Sequence, residues 1–85
     1  MHIELRFFAS VREALGLAQE RIELPGTVRT VGQVRDHLIA RGGVWAEALA
    51  HQRALRMAFN HVMCGPETAV QEGGEVAFFP PVTGG

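Results

Sequence analysis

The chain has 85 residues, 47% of them hydrophobic and 20% charged, and a formal net charge of -1. This length supports one domain with one small core, and the composition is typical of a folded protein rather than a disordered one. A net charge so close to zero gives no long-range attraction to nucleic acid or to an anionic membrane surface. We therefore expect no nucleic-acid or membrane partner, and recognition by shape and local contacts.

The cysteine content and the first residues indicate the cytoplasm. Cys64 is the only cysteine, so no disulfide can form within the chain, which suits a reducing compartment. The start of the sequence, Met1 to Glu4, lacks the basic segment and apolar run of a signal peptide. No apolar stretch approaches the roughly 20 residues that a membrane-spanning helix needs. The prediction is a cytoplasmic protein.

The first strand is predicted over residues 2–8, where apolar and polar side chains alternate. Its core-facing residues are Ile3, Leu5 and Phe7, and its outward-facing residues are Glu4, Arg6 and Phe8. A second strand is predicted over residues 19–24, with Ile22 and Leu24 pointing inward, before a turn at Pro25-Gly26. The chain therefore begins with two strands joined by a short connector.

Two capping boxes predict the starts of helices. In Ser10–Glu13 and in Thr30–Gln33, a hydroxyl residue is followed three positions later by Glu or Gln, whose side chain can bond back to the cap. Glycines predict the ends, Gly16 for the first helix and Gly42-Gly43 for the second. The second helix is the main one and buries residues spaced i, i+3 and i+7: Val31, Val34 and Leu38. One or two further helical turns are predicted in Trp45–Ala50.

The second half of the chain contains three strand patterns. Leu55–Phe59 alternates, Asn60-His61 can turn the chain into Val62–Cys64 as a hairpin, and Glu75–Phe79 forms the last strand. Strands on both sides of one long helix, in so short a chain, predict one mixed sheet packed on that helix. The fold class is therefore α+β, a β-grasp or ubiquitin-like domain over residues 1–79, with an extended C-terminal tail over residues 80–85.

No conventional catalytic or metal-binding motif is visible in the sequence. The 4 histidines have no metal-ligand spacing with one another or with Cys64. Glu47 and His51, four positions apart on a predicted helix, are interpreted as a solvated surface pair. Cys64, inward-facing by the alternation, is interpreted as a buried structural thiol. We expect no metal, no bound cofactor and no active site of the chain's own.

The C-terminus carries the strongest functional signal. The last strand runs into Pro80 and Pro81, and the sequence ends on Gly84-Gly85. Two prolines favour an extended path, six extended residues reach roughly 20 Å, and glycines, which lack a Cβ, can pass through a narrow tunnel. A carboxylate must become a mixed anhydride, typically with AMP, before a nucleophile can attack it. We predict that the reacting group is the carboxylate of Gly85, presented on the tail Pro80, Pro81, Val82, Thr83 and Gly84.

The block from Glu75 to Gly85 resembles the C-terminal signature of the MoaD/ThiS sulfur-carrier family, and more closely its molybdopterin branch than its thiamine branch. Phe7–Glu13 resembles the first strand and helix entry of that family, and Asn60, fifteen residues before Glu75, also fits its pattern. One departure is Gly74, where the family usually carries an acidic residue. Three alternatives stay open: the sulfur carrier of thiamine thiazole synthesis, a ubiquitin-like protein modifier, and an interaction domain with an inert tail.

The resemblance implies a mechanism and two partners. A ubiquitin-activating-like adenylyltransferase would use ATP to adenylate Gly85, and a sulfur donor would convert the acyl-adenylate to a thiocarboxylate. The tail would then insert into the large catalytic subunit of molybdopterin synthase, with which the chain would form a heterotetramer, and sulfur would pass to cyclic pyranopterin monophosphate. On this basis the chain donates sulfur without catalysing a reaction, and ATP is bound by the activating enzyme.

Strand parity predicts a docking surface beside the tail. With Val76 and Phe78 facing the core, Phe79 faces outward, as does Phe8 on the first strand. With Val62 and Cys64 facing inward, Met63 faces outward on the same side of the sheet. Three exposed apolar side chains that converge near a functional tail indicate a partner site, with Arg12 as a charged contact at its rim. The predicted partner-binding residues are Phe8, Arg12, Met63 and Phe79.

Overall fold

The computed structural model describes residues 1–81 of the chain. Its elements are β1 (His2–Phe7), α1 (Ala9–Leu15), β2 (Gln19–Glu23), α2 (Val31–Ile39), α3 (Gly43–Ala48), β3 (Arg56–Phe59), β4 (Val62–Cys64) and β5 (Glu75–Phe79). The strands form one mixed sheet in the order β2-β1-β5-β3-β4, with β1 and β5 parallel and the other neighbours antiparallel. The predicted α+β, β-grasp fold is confirmed. No helix within residues 1–81 is long and apolar enough to cross a membrane.

The helices cover one face of the sheet, and the core lies between the two layers. The sheet contributes five side chains that are at most 1% exposed: Ile3, Leu5, Phe7, Val76 and Phe78. The helical layer contributes a matching set: Val11, Val31, Val34, Leu38 and Leu49. Burying each such side chain stabilises the fold by roughly 1.5–3 kcal/mol. The alternation predicted for the first and last strands is confirmed on the core side.

The first helix begins differently from the prediction. The N-cap is Phe8, with φ -129° and ψ 155°, and no side chain caps the helix, so the Ser10–Glu13 capping box is wrong. The helix starts at Ala9, because the chain turns immediately after the N–H of Phe8 donates to the Phe78 carbonyl (3.3 Å). Ser10 therefore lies within the first turn and cannot cap it. The predicted end is confirmed, since Gly16 takes the left-handed φ of 69° that glycine tolerates.

The capping box of α2 is confirmed in both directions. The N–H of Gln33 donates to Thr30 Oγ1 (3.2 Å), and the N–H of Thr30 donates to Gln33 Oε1 (3.2 Å). The helix ends at Ile39, earlier than the Gly42-Gly43 stop predicted from the sequence. The next helix, α3, already begins at Gly43, so α2 must end early enough for the chain to turn between them. The predicted helical segment was Trp45–Ala50, so α3 begins two residues earlier than predicted. The two helices are therefore separated by three residues rather than by two glycines alone.

Arg35 is a buried arginine that joins α2 to the end of α3. Although it lies on the main helix, it is only 5% exposed. Its Nε donates to the Leu49 carbonyl (2.7 Å), and its Nη2 donates to the carbonyls of Ala50 (2.5 Å) and Arg53 (3.1 Å). Burial lowers the pKa of Arg35, and the nearby Asp36 opposes that shift; a guanidinium nevertheless stays protonated in proteins. The segment after α3 is thereby held against the main helix.

The predicted hairpin between β3 and β4 is present, so the sheet has five strands. Asn60 and His61 form its two-residue turn with φ values of 50° and 68°. Positive φ at both central residues is typical of the type I′ turn that matches the twist of a hairpin. Asn60 also bonds to β5: its N–H donates to the Glu75 carbonyl, and the Glu75 N–H donates to Asn60 Oδ1, both at 2.9 Å. These two hydrogen bonds are the physical reason why Asn60 and Glu75, fifteen residues apart in the chain, belong to one pattern.

Gly74, the residue that departs from the family pattern, lies directly under Phe59. A Cβ on Gly74 would lie 2.5 Å from Cζ of Phe59 and 2.6 Å from its Cε1. The half-buried Phe59 ring packs against the core, so it cannot move away without losing that packing. In this chain the aromatic residue at position 59 thus requires glycine at position 74.

Candidate functional site

The face of the sheet that the helices leave uncovered, here called the outer face, presents a row of paired residues: Arg6, Ala77, Ala58 and Met63. Ala77 and Ala58, on neighbouring strands in the middle of this row, are 5% and 7% exposed. Two methyl groups form the floor of this face, while longer side chains rise at either end. Partner contacts on the outer face must therefore be made mainly by the side chains around the alanines.

Phe8 and Phe79 form an aromatic pair on the outer face, where the tail leaves the sheet. Their ring centroids are 6.2 Å apart and their planes lie at 86°, an edge-to-face arrangement. Phe8 is 41% exposed and Phe79 is half-buried. The rings meet because β1 and β5 are parallel, which brings their last residues to the same end of the sheet. Trp45 does not cover them, since its ring packs on Phe7 in the core (5.6 Å).

Met63 lies on the same face but apart from this pair, so the predicted convergence of all three side chains is wrong for Met63. It is 52% exposed and pairs with Ala58, which pairs in turn with Ala77. Two strand spacings and a two-residue offset along β5 put its Cα roughly 12 Å from that of Phe79. Its predicted outward orientation is confirmed, whereas Val62, predicted to face inward, is 67% exposed. Val62 has the core-side parity but lies on an edge strand, next to the hairpin turn, where its side chain stays exposed.

The root of the tail begins at the middle strand of the sheet. β5 lies between β1 and β3, and its last residue, Phe79, pairs with Arg56. Pro80 is half-buried and Pro81 exposed, and neither has an N–H that could continue the ladder. The remaining tail residues of the prediction, Val82, Thr83, Gly84 and Gly85, lie outside the described residues. The tail is therefore attached to a strand that is held on both sides.

Two arginines lie close to the aromatic pair. Arg12 is exposed on α1, and its N–H donates to the Phe8 carbonyl (3.3 Å). Arg6, which the sequence analysis did not select, has its guanidinium carbon 5.6 Å from the centre of the Phe8 ring. Its Nη1 is 3.8 Å from Glu75 Oε1, and its buried Nε has no hydrogen-bond partner within residues 1–81. The alternation that places Phe8 outward also places Arg6 outward, so this residue could have been found from the pattern.

Cys64 was predicted to be a structural thiol, and Glu47 and His51 a solvated surface pair. Cys64 is half-buried and packs on the edge of the core. His51 does not pair with Glu47: α3 ends at Ala48, and His51 Nε2 lies 2.6 Å from Asp36 Oδ1 instead. Within the part of the chain that the structure describes, no group of three His, Cys, Asp or Glu side chains could hold a metal ion.

Comparisons with known proteins agree with this geometry. The profile of the ThiS family matches residues 5–85. The chain belongs to the ThiS family. It is 42% identical over 83 residues to the molybdopterin synthase sulfur carrier subunit of Haemophilus influenzae, and 40% identical over 83 residues to that of Escherichia coli. Each alignment covers 98% of this chain and 99% of the relative. SAMP1 from Haloferax volcanii has the same fold, with a TM-score of 0.76 and 26% identity over 100% of both chains.

The ThiS match extends over the tail as well as the domain. It begins within β1 and continues through Gly85, so it includes Phe8, Phe79 and the Pro-Pro segment between sheet and C-terminus. The coverage of both relatives is almost complete in each direction. The resemblance seen in the terminal block is therefore a resemblance of the whole chain. The roles of Phe8, Arg12, Met63, Phe79 and the tail stay predictions.

Proposed function

We propose that this ThiS-family chain is the sulfur carrier subunit of a molybdopterin synthase and that the carboxylate of Gly85 is its reacting group. The observation that carries the proposal is the 40–42% identity, over almost the full length, to two proteins of that name. The outer face supports it, because an aromatic pair of exposed Phe8 and half-buried Phe79 lies at the root of a Pro-Pro tail. Relatives with this name favour the molybdopterin branch over the thiamine branch and over a protein modifier.

The chemistry begins with activation of the C-terminus. The carboxylate attacks the α-phosphorus of ATP on an adenylyltransferase, which forms an acyl-adenylate and releases pyrophosphate. A sulfur nucleophile at the oxidation level of sulfide then attacks the acyl carbon, AMP leaves, and a thiocarboxylate remains. In the large catalytic subunit the sulfur bonds to a carbon of cyclic pyranopterin monophosphate as a C–O bond at that carbon breaks, and water then cleaves the acyl–sulfur bond, which leaves the sulfur on the product and restores the carboxylate. Each product has two dithiolene sulfurs, so two loaded carriers are needed.

The chain's own contribution is presentation of the tail. The carbon that reacts belongs to the last residue, so any protein that acts on it must enclose the segment after Pro81. Exposed Phe8 and half-buried Phe79 supply an apolar contact for such a protein, and aromatic residues at the centre of an interface often contribute most of its binding energy. We assign the acid and base groups, and the ATP site, to the partners.

Both partners must bind the same part of the molecule. An adenylyltransferase and a large catalytic subunit each have to receive the tail, which leaves the sheet beside Phe79. They should therefore compete, and the carrier must dissociate from one before it serves the other. We propose a heterotetramer of two carriers and two large subunits, located in the cytoplasm, where the lone cysteine needs no oxidising environment.

The direct test is the intact mass of the chain after incubation with ATP, the adenylyltransferase and a sulfide source. The expected product is heavier by the difference between one sulfur and one oxygen, and it forms only when ATP is present. Transfer to the large subunit should return the original mass and yield molybdopterin. A chain that never acquires sulfur would contradict the proposal, and lysine-linked conjugates in a cell extract would instead favour a protein modifier.

A further inference from the structure

The two free edges of the sheet differ in how they are protected. The edge strand β2 carries charged side chains, and Glu20 binds Arg41 through two contacts of 2.6 and 3.0 Å. The other edge strand, β4, has two apolar side chains on opposite faces, Val62 and Met63, which are 67% and 52% exposed. Natural proteins usually protect an exposed edge with charges, proline or a covering segment, because its free N–H and C=O groups can pair with another chain. No residue of β4 is charged or a proline, and the strand's protection is its length of only three residues.

The hydrogen bonds of the hairpin fix which residue of β4 faces the free edge. The Asn60 N–H donates to Glu75 on β5, and backbone groups alternate in direction along an antiparallel strand. Phe59 therefore bonds to Val62 on β4, Ala58 bonds toward β5, and the partner of Ala58 on β4 is Met63. It follows that both the N–H and the C=O of Met63 point away from the sheet, at the edge.

At the open end of the β3–β4 hairpin, next to Met63, lies a depression that an incoming side chain can enter. Its volume is about 300 Å³, and its lining comprises Leu55, Arg56, Met57, Met63, Cys64 and Pro66. The two methionines make the wall adaptable, since thioether side chains repack easily. An extended segment paired with Met63 would send an alternate side chain toward this depression. The edge thus offers both backbone pairing and a side-chain site.

A second copy of this chain is not a sufficient occupant of the edge. Two three-residue strands joined edge to edge would bury far less than the roughly 1,200 Å² of a stable specific interface. A protein that already covers Phe8 and Phe79 reaches that area more easily, because the Met63 side chain lies on the same outer face. The edge is continuous with the proposed docking surface, which favours a segment of a protein bound there. Of the two proposed partners we choose the large catalytic subunit, because the relatives at 40–42% identity are named as a subunit of the synthase itself.

We infer that the large catalytic subunit adds an extended strand to β4, pairing with the N–H and C=O of Met63 and placing an apolar side chain in the adjoining depression. This inference rests on the proposed function, which supplies the partner, and it assigns to that partner a contact made by backbone atoms. The contact lies roughly 12 Å from Phe79 by strand spacing, so it fixes the rotation of the carrier about its tail. A partner held only at the tail root would lack that constraint.

The first test is amide hydrogen exchange of the free chain and of its complex with the large subunit. In the free chain the N–H groups of Val62 and Cys64 are protected, because both bond to β3, and the N–H of Met63 exchanges rapidly. In the complex the exchange of Met63 should slow by at least about tenfold, as expected for a hydrogen bond formed at the interface. Unchanged exchange of Met63 in a stable complex would overturn the inference, as would protection only in the complex with the adenylyltransferase.

The second test separates the backbone of Met63 from its side chain. Met63→Ala keeps the N–H, whereas Met63→Pro removes it without breaking the ladder to β3, which that N–H does not join. The proline variant should bind the large subunit about tenfold more weakly than the alanine variant. Arg21→Pro and Arg21→Ala form the matched pair on the opposite edge, where the N–H of Arg21 also points outward, and they should bind equally.

Equal affinities of Met63→Pro and Met63→Ala would refute strand addition while leaving the sulfur-carrier function intact. Should Met63→Pro fail to fold, the exchange of the unmodified chain decides. Failure of the proposed function has a different signature: the unmodified chain would neither bind the large subunit nor accept sulfur. The two ideas can therefore fail separately.

Discussion

Replacing Arg35 by methionine is the substitution whose cost can be worked out most fully from the structure. Methionine keeps most of the aliphatic stem and removes the guanidinium, which donates to the carbonyls of Leu49, Ala50 and Arg53. Leu49 is fully buried, so water cannot replace the bond to its carbonyl, while Ala50 is half-buried and Arg53 exposed. The loss therefore comes mainly from one orphaned acceptor and from a looser end of α3.

The expected loss is about 3 kcal/mol. A hydrogen bond from a charged donor contributes roughly 1.5–3 kcal/mol, and a buried acceptor left without a partner costs about 1–3 kcal/mol. Relief of the buried charge offsets part of this, since burial lowers the pKa of Arg35 and so disfavours its charged form. A domain of this size has a total stability of roughly 4–13 kcal/mol, so the variant should stay folded but lose a large share of its margin.

Urea unfolding followed by the fluorescence of Trp45 measures this directly. The midpoint should fall by about 2 M with an unchanged m-value. Arg29→Met is the matched control, because the Arg29 side chain is exposed and, within residues 1–81, donates only to the Gly26 carbonyl (3.2 Å). The stability of this variant should change by less than about 0.5 kcal/mol. A loss below about 1 kcal/mol for Arg35→Met would mean that water already reaches the Leu49 carbonyl, and the reasoning would be refuted.

Three further substitutions test the fold, the tail and the docking surface. Gly74→Asp should destabilise the chain by about 2 kcal/mol or more in urea melts because its Cβ overlaps the Phe59 ring, and Phe59→Leu in the same chain should recover part of the loss; a stable single variant would contradict the steric argument. Deleting Gly85 should abolish sulfur acceptance, measured by intact mass, without changing the melting temperature. Phe79→Ala should weaken binding to both partners by about 2 kcal/mol with little change in melting temperature, whereas Val44→Ala, an exposed apolar control on α3, should bind normally; a collapsed melting temperature with normal binding would assign Phe79 to the core.

Local sequence patterns predicted the structure correctly where the interacting residues are close together in the chain. The Thr30–Gln33 capping box forms because both partners lie within one helical turn, and Gly16 ends α1 through its own backbone freedom. The Asn60-His61 turn follows from positive φ values that a short polar pair tolerates. The role given to the tail, two prolines followed by glycines near the C-terminus, also rests on the sequence alone and stays a prediction.

Interactions between distant segments decided the rest. The Ser10 capping box does not form, because the N–H of Phe8 is bound by a carbonyl seventy residues later in the chain. His51 reaches Asp36 rather than Glu47 only because α3 folds back on α2. The burial of Arg35 depends in the same way on carbonyls that arrive from the end of α3.

The predicted docking surface depends both on local sequence patterns and on contacts between distant segments. Alternation along a strand assigned Phe8, Phe79 and Met63 to the outer face, because a side chain's face depends only on its position within its own strand. Alternation cannot say which strands are neighbours. The parallel pairing of β1 with β5 brought the two phenylalanine rings together, and the edge position of β4 left Met63 apart with its backbone exposed. The face that a side chain takes depends only on its own strand. The order of the strands depends on burying the apolar area of the whole domain, so only the tertiary structure could decide which strands are neighbours.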